Sequence, residues 1–424
     1  MVPKIAVTGT KGKTTTVAII ADVLQKLGKN VLKVDTTGHF VNGERRSTLD
    51  DSKDSWGLVP SVCPGRYLWE FHEHPELRKN GVAVLECSLG CSASAGLGYR
   101  YHEVGVFLNV FEDHLGSSKR LNTKQDIADA KQFVFARLRP DNSYAVFNAD
   151  DELVCQKLSL VDESPRPRTK VPFGLTFEHF DIASHLSQGG VVLTVNNAEQ
   201  VVLRASDGDK VLADLKQIPW TFNGAFPPSV WNLLAAIGAV YGYCKGELPE
   251  NFREVVESVR LDKYGGRLTL LKNNAGVTIL ADYAHEKISL SYVGDLAHTQ
   301  VAPGGSVIGV VRLAHDRTDD LMQETGRTIA PHYDKIIVYD KIDGYFRPAK
   351  DAIRFPQIPG RTSQIFADAI AGVNPNVERI VREDQALDRA AEVAKPGDVV
   401  VVIVNDDIVR SVDFIREKFK AEFM

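Results

Sequence analysis

Cysteine is scarce in this sequence, basic charge is not in excess, and no apolar run approaches the length a bilayer needs. Five cysteines in 424 residues, odd in number and irregularly spaced, make no disulfide framework. Cys87 and Cys91 lack the second pair that a zinc ribbon would require, and they read as small buried residues rather than nucleophiles. A net charge of −5 argues against a broad nucleic-acid or membrane-surface footprint and leaves small or peptidic partners. No stretch reaches the roughly twenty apolar residues of a membrane span, and the chain enters a strand at once, which leaves no room for a signal peptide. The expectation is a cytoplasmic protein with no nucleic-acid or membrane partner. A homo-oligomer is left open.

Apolar residues make up 44% and charged residues 25%, the balance of a globular protein, and 424 residues exceed one ordinary core. From residue 4 to about 150, short apolar runs alternate with amphipathic stretches. The pattern predicts strands at 4–8, 30–34, 81–86, 104–108 and 144–147, and helices at 13–27, 66–79 and 123–138. This is an α/β pattern with a parallel sheet. Between about 170 and 222 the segments shorten and read as appended antiparallel strands. Helices near 229–244 and 250–259 precede Asp262-Lys-Tyr-Gly-Gly-Arg267, where paired glycines suggest a hinge. A second α/β alternation follows, with strands near 277–281, 306–311, 335–339, 377–381 and 398–404, the last apolar on both faces and therefore central. The segment 341–361, rich in Pro, Gly, Arg and Lys, reads as a mobile loop.

Chemistry enters at the first strand end. Gly9-Thr-Lys-Gly-Lys-Thr-Thr15 joins a strand to a helix, with Gly9 and Gly12 placed to turn the backbone so that N–H groups face a polyphosphate. The spacing G-x-x-G-K-T is two residues shorter than the common P-loop. Its context, with Lys13 and Thr14 opening a helix, still points to nucleotide binding. Lys13 would meet the terminal phosphates and the Thr14 hydroxyl a Mg²⁺.

Other polar groups fall at strand ends on the same edge. Glu86 closes one strand, and Asn109-Val-Phe-Glu-Asp-His114 follows another, at the sheet edge where open α/β proteins bind ligands. Taken singly, Glu86 reads as a partly solvated strand end and His114 as a loop histidine. Together beside a P-loop they are candidate ligands for one or two Mg²⁺. Lys131, by spacing alone, lies on a solvated helix face. Asn232, in an apolar helix, needs a partner from backbone or a base. Farther on, Asp282-Tyr-Ala-His285 and Arg312-Leu-Ala-His-Asp-Arg317 again follow predicted strands.

These segments occur in the order seen in Mur ligases: Gly9 to Thr15, Asn109 to Leu115, Asn148-Ala-Asp-Asp151, Asn232-Leu-Leu-Ala-Ala236, Gly266-Arg267 and Asp282 to His285. The chain resembles that superfamily from end to end. Leu85-Glu-Cys-Ser-Leu-Gly90, His185-Leu-Ser-Gln-Gly-Gly190 and His315-Asp-Arg317 are most similar to the muramyl-ligase-like half of cyanophycin synthetase. The resemblance implies a P-loop ATPase domain over 1–264 and a Rossmann-like α/β domain over 265–424. It implies Gly9, Thr10, Lys11, Gly12, Lys13, Thr14 and Thr15 around ATP, Asn232 at the adenine, Arg267 and Asp282 at the nucleotide, and Asp316 and Arg317 nearby. It further implies Thr14, Glu86 and His114 on Mg²⁺, a carbamylated Lys131 steadying the metal, and His285 beside the closing domain.

The reaction so implied is ATP-dependent joining of a carboxylate to an amine, releasing ADP and phosphate, with an amino acid and a peptide or amino-acid polymer as substrates. Rivals are a poly-γ-glutamate synthetase-like ligase and an inactive nucleotide-binding scaffold. Two departures stand out. Muramoyl ligases carry a further N-terminal uridine-binding domain, whereas residue 9 already lies in the P-loop here, so UDP should not be gripped that way. The family continues Asp-Tyr-Ala-His with Asn-Pro or Thr-Pro, where this chain has Glu286-Lys287, which puts amine specificity in doubt.

Overall fold

The computed structural model describes residues 2–46, 59–112, 121–164, 166–261, 267–315, 317–341, 358, 360–405 and 408–424. His114, Asp316, the 262–266 glycine segment and most of 341–361 lie outside them. The chain divides into two compact units, one of residues 1–111 and 123–261, the other of 112–122 and 262–424.

In the first unit the described strands are β1 (Lys4–Thr8), β2 (Asn30–Asp35), β3 (Gly38–Val41), β4 (Glu44–Arg46), β5 (Gly81–Glu86), β6 (Val104–Phe107), β7 (Tyr144–Asn148), β8 (Thr169–Phe173), β9 (Val192–Val195), β10 (Gln200–Ala205) and β11 (Gly208–Asp214). They lie in the order β11-β10-β9-β8-β7-β6-β1-β5-β2-β3-β4. β1 is central and pairs in parallel with β5 on one side and β6 on the other. Every residue of β1 and β6 is buried, as befits strands covered on both faces. Helices α1 (Lys13–Lys26) and α3 (Pro227–Tyr243) pack together against the sheet, with Ile20, Val23, Leu234 and Ile237 joining Val7, Val84 and Val106 in one core. Leaving water for this core is the main driving force of the unit.

Three sequence expectations change here. The segments after 170 are not uniformly antiparallel: β8 runs parallel to β7 and β9 parallel to β8, while β10 and β11 form the antiparallel extension. A short helix, Ile182–Ser187, lies in the β8–β9 connection, which supplies the crossover that parallel pairing requires. The helix expected over 66–79 is broken into Pro64–Trp69, Glu70–Glu73 and Pro75–Asn80, because Pro75 forces His74 into an extended conformation. The 123–138 helix is also divided, into α2 (Lys124–Lys131) and Phe133–Ala136. Thr123 opens α2 with a capping box to Asp126. The β2-β3-β4 meander at the far edge went unpredicted.

The second unit has β12 (Thr269–Asn273), β13 (Thr278–Asp282), β14 (Val307–Val311), β15 (Lys335–Val338), β16 (Val377–Arg379), β17 (Val399–Ile403) and β18 (Ala421–Phe423), in the order β16-β15-β14-β17-β13-β12-β18. β17 is the middle strand and wholly buried, as its apolar run predicted. β12 and β18, absent from the sequence reading, pair antiparallel at one edge. Helices α4 (Lys287–Gln300), α5 (Asp319–Ile329) and α6 (Arg361–Ala371) pack in succession on one face, and α7 (Glu383–Val393) and α8 (Ile408–Phe419) pack together on the other. This is a doubly wound arrangement. Among the described residues, no helix is long and apolar enough to cross a membrane.

Candidate functional site

Because β1 sits between β5 and β6, the carboxyl ends of all three strands meet at one edge of the first unit. The turn after β1 runs through Gly9, with φ +152°, to Gly12, with φ +84°. A Cβ on Gly12 would collide with Asn232 Oδ1, and one on Gly9 would come within 2.8 Å of Leu108 Cβ, so neither position admits a larger residue without movement. The loop opens into α1 at Lys13, whose first backbone N–H groups supply partial positive charge. Lys13 Nζ donates to Gly9 O at 3.1 Å and Thr10 O at 2.9 Å, folded over the loop that would surround a phosphate.

Asn109, just beyond β6, holds this turn in place. Its Oδ1 accepts from Thr10 N at 3.0 Å and Lys11 N at 2.8 Å, its Nδ2 donates to Lys11 O at 3.1 Å, and its carbonyl accepts from Thr10 N at 2.9 Å. Thr10 Oγ1 accepts in turn from Phe111 N at 3.0 Å. Behind it Asp151 Oδ2 accepts from Val110 N at 2.7 Å, and burial raises this carboxyl above the usual aspartate range.

Glu86 is not a partly solvated strand end: it is 2% exposed. Its Oε2 accepts from Thr14 Oγ1 at 2.9 Å and Thr36 N at 3.2 Å, and its Oε1 accepts from Thr36 Oγ1 at 2.8 Å. The Thr36 and Ser61 hydroxyls lie 3.1 Å apart. Carboxylate and hydroxyl oxygens are hard donors that suit Mg²⁺. Among the described residues no three His, Cys, Asp or Glu side chains gather as a metal cage. Thr36, Ser61 and the clamping role of Asn109 escaped the sequence reading. The available signal was the Thr36-Thr37 pair one step beyond β2, on the same sheet edge as Glu86.

Asn232, on α3, lies behind the loop: its Oδ1 accepts from Thr16 Oγ1 at 3.3 Å and faces Gly12. Lys131 ends α2 and is 3% exposed, so the solvated face suggested by spacing is wrong. Its charge is felt by Cys91. Cys87 and Cys91 are buried, and the Cys91 thiol is pushed far up, first by its hydrogen bond with Cys87 and then by burial. Thiols held protonated in this way are poor nucleophiles. Thr15 is half-buried on the first turn of α1, next to Thr14.

In the second unit Asp282 ends β13 and accepts from Leu268 N at 2.9 Å and Ala284 N at 2.8 Å, which fixes the backbone beside half-buried Arg267. His285 Nδ1 lies 2.8 Å from Tyr283 O. Glu286 caps α4 by accepting from Ile288 N at 2.8 Å and Ser289 N at 2.7 Å, and Lys287 pairs with Glu324 on α5 at 2.5 Å. The departure from Asn-Pro or Thr-Pro thus builds a helix start of its own. Arg317 is buried.

Residues 7–240 match the family model described as the Mur ligase middle domain, and residues 266–403 match that of the Mur ligase glutamate ligase domain. A cyanophycin synthetase of Nostoc sp. is 29% identical over 419 residues, covering 98% of this chain and 42% of that protein. The chain therefore spans less than half the length of that relative. A UDP-N-acetylmuramoyl-L-alanyl-D-glutamate--2,6-diaminopimelate ligase of Parabacteroides distasonis is 26% identical over 409 residues, covering 94% of this chain and 71% of its own. Among solved structures, E. coli FolC in complex with DHPP and ADP superposes with a TM-score of 0.65 at 17% identity, covering 99% of this chain and 89% of that one. The family models alone cover more than half of the sequence, and the chain belongs to the Mur ligase family.

Proposed function

We propose that this chain is an ADP-forming carboxylate–amine ligase that uses ATP and joins an amino acid to a peptide or amino-acid polymer, as the relatives named cyanophycin synthetase suggest. The observation that carries the reading is the convergence of Lys13, Thr14 and Glu86 at one sheet edge around a loop shaped for phosphate. In this reading Lys13 exchanges its two backbone carbonyl acceptors for the β- and γ-phosphates. The loop N–H groups, held by Asn109, orient the triphosphate so that a substrate carboxylate oxygen attacks the γ-phosphorus and ADP leaves. The amine of the second substrate then attacks the acyl carbon, loses a proton, and expels inorganic phosphate as the amide forms. Mg²⁺, when bound, supplies charge stabilisation to the phosphate oxygens. Thr14 and Glu86 are the described residues that would hold it, with His114 completing the set. Lys131, buried beside Cys91, is the carbamylation candidate. Asn232, Arg267, Asp282, Asp316 and Arg317 are assigned to the nucleotide, and His285 to the second unit's part in the reaction.

The test is a matrix of candidate acids and amines with ATP and Mg²⁺, scored by ADP release and by the mass of the product. An amide product with one ADP per bond, lost in Lys13→Ala, is expected. Tight ATP binding with background turnover across the whole matrix would favour a nucleotide-binding scaffold instead.

A further inference from the structure

Arg312 is the first residue past β14 and is completely buried, among the largest enclosed side chains of the protein. Its Nη2 donates to Val404 O at 2.6 Å, and its Cζ lies 5.2 Å from the centre of the Tyr283 ring. Its Nε and Nη1 have no hydrogen-bond partner, and it forms no ion pair with a described carboxylate. An enclosed guanidinium with one neutral acceptor, one aromatic face and two unpartnered nitrogens is costly to bury, and folded proteins seldom keep one without a use.

The place is as telling as the charge. Tyr283 is the first residue past β13 and Val404 the first past β17, and β17 pairs with both β13 and β14. The chain leaves β13 and β14 into α4 and α5 on one face of the sheet, and leaves β17 into α8 on the other. The connections diverge at β17, which makes a topological switch point, where doubly wound sheets open the crevice that takes ligands. Arg312 thus stands at the switch point with two donor nitrogens, Nε and Nη1, unused.

We propose that Arg312 is a substrate-specificity residue that takes the carboxylate of the amine-bearing substrate, an inference that rests on the ligase reading above. The Tyr283 ring lies against the guanidinium, and Nη2 has two hydrogens: Val404 O takes one, and the other sits beside Nε or Nη1, so one two-donor edge remains for two coplanar oxygens. A carboxylate brings a negative charge to this guanidinium, whereas a neutral amide oxygen does not. The guanidinium is fully enclosed in this structure, so a ligand reaches it only when the side chains that cover it move.

The experiment compares the parent chain with Arg312→Met and Arg312→Lys. Methionine fills the site without a charge, and replacing a buried ion by an apolar residue of similar volume is tolerated, so melting temperature serves as the folding control. At saturating ATP and Mg²⁺, each active amino acid is offered as the free acid and as its carboxamide, with ADP release as the readout. Arg312→Met should raise KM for the free amino acid by about tenfold or more, leave KM for ATP within about twofold, and erase the preference for acid over carboxamide. Arg312→Lys should recover part of that preference. A rise in KM for ATP alone would assign the residue to nucleotide phosphate and overturn the proposal, as would an acid preference that survives in Arg312→Met. In parallel, the free L-amino acids and their carboxamides are titrated calorimetrically without turnover. Acid-selective binding in the parent that vanishes in Arg312→Met upholds the site even if no amide is ever formed. Equal binding in both proteins, or none in either, sinks it while leaving any measured ligase activity intact.

Discussion

The Thr14 hydroxyl and the Glu86 carboxylate meet at 2.9 Å although 72 residues separate them in sequence. That contact exists because β1 and β5 are parallel neighbours with Val7 opposite Glu86, so the helix that begins at Lys13 delivers its second residue over the end of β5. Glu86 accepts three hydrogen bonds from Thr14 and Thr36, which fix both of its oxygens at the end of β5 beside the phosphate loop.

Glu86→Gln should lower ligation by about 100-fold or more, since the amide removes the negative charge and turns one acceptor into a donor facing a threonine hydroxyl. ADP release at increasing Mg²⁺ measures it. Full recovery of the rate at high Mg²⁺ would reduce Glu86 to an affinity role.

Gly12→Ala should cost about 1–3 kcal/mol, because a Cβ would force a left-handed backbone and press on Asn232 Oδ1. In a double-mutant cycle with Asn232→Ala, denaturant unfolding should return only the steric part of the loss, leaving the backbone part in place. Strict additivity would show that the two residues do not press on one another.

Asn109→Ala removes the side-chain clamp on Thr10 and Lys11. Calorimetry should find ADP binding weakened by about tenfold or more, with little change in melting temperature in the absence of nucleotide. Asn109→Asp keeps the acceptor and should retain part of the affinity.

Burial holds the His102 imidazole down at about 4 against 6.5 in the unfolded chain, while Nε2 sits 2.7 Å from Val134 O. The folded state keeps this ring neutral, so between pH 6.5 and about 4 the unfolded chain binds the extra proton and stability rises with pH. The contribution is complete above 6.5 and falls away on acidification toward about 4, by up to about 3 kcal/mol. His102→Gln should flatten that part of the stability–pH curve in urea titrations. An unchanged slope would place the titrating group elsewhere.

On the proposed ligase reading, Lys131→Ala should abolish most ADP release, and the parent protein should gain activity with bicarbonate after carbon dioxide is removed. An alanine variant with undiminished turnover would end the carbamate idea.

The phosphate loop was legible because its signal is local: glycines, a lysine and a threonine lie within seven consecutive residues between an apolar run and a helix. Glu86 was legible as a strand end, but its burial was not, since β2 and its trailing Thr36 enclose it from a distance of 50 residues in sequence. Lys131 was misread from helical spacing because the surface beneath α2 is set by packing rather than by the periodicity of eight residues. The β8–β9 pairing was misread for a related reason. Strand direction is decided by the connection, and the six-residue helix that makes the crossover is too short to declare itself.

By itself the sequence determined the two α/β alternations with most of their parallel strands, the phosphate-binding turn and the family resemblance, because these depend on neighbours along the chain. Tertiary structure alone decided that Asn109 clamps the loop, that Thr36 joins Glu86, and that Arg312 stands enclosed beside Tyr283 and Val404. Each of those contacts depends on which strands lie side by side, and that ordering is fixed by long-range burial, which no local pattern encodes.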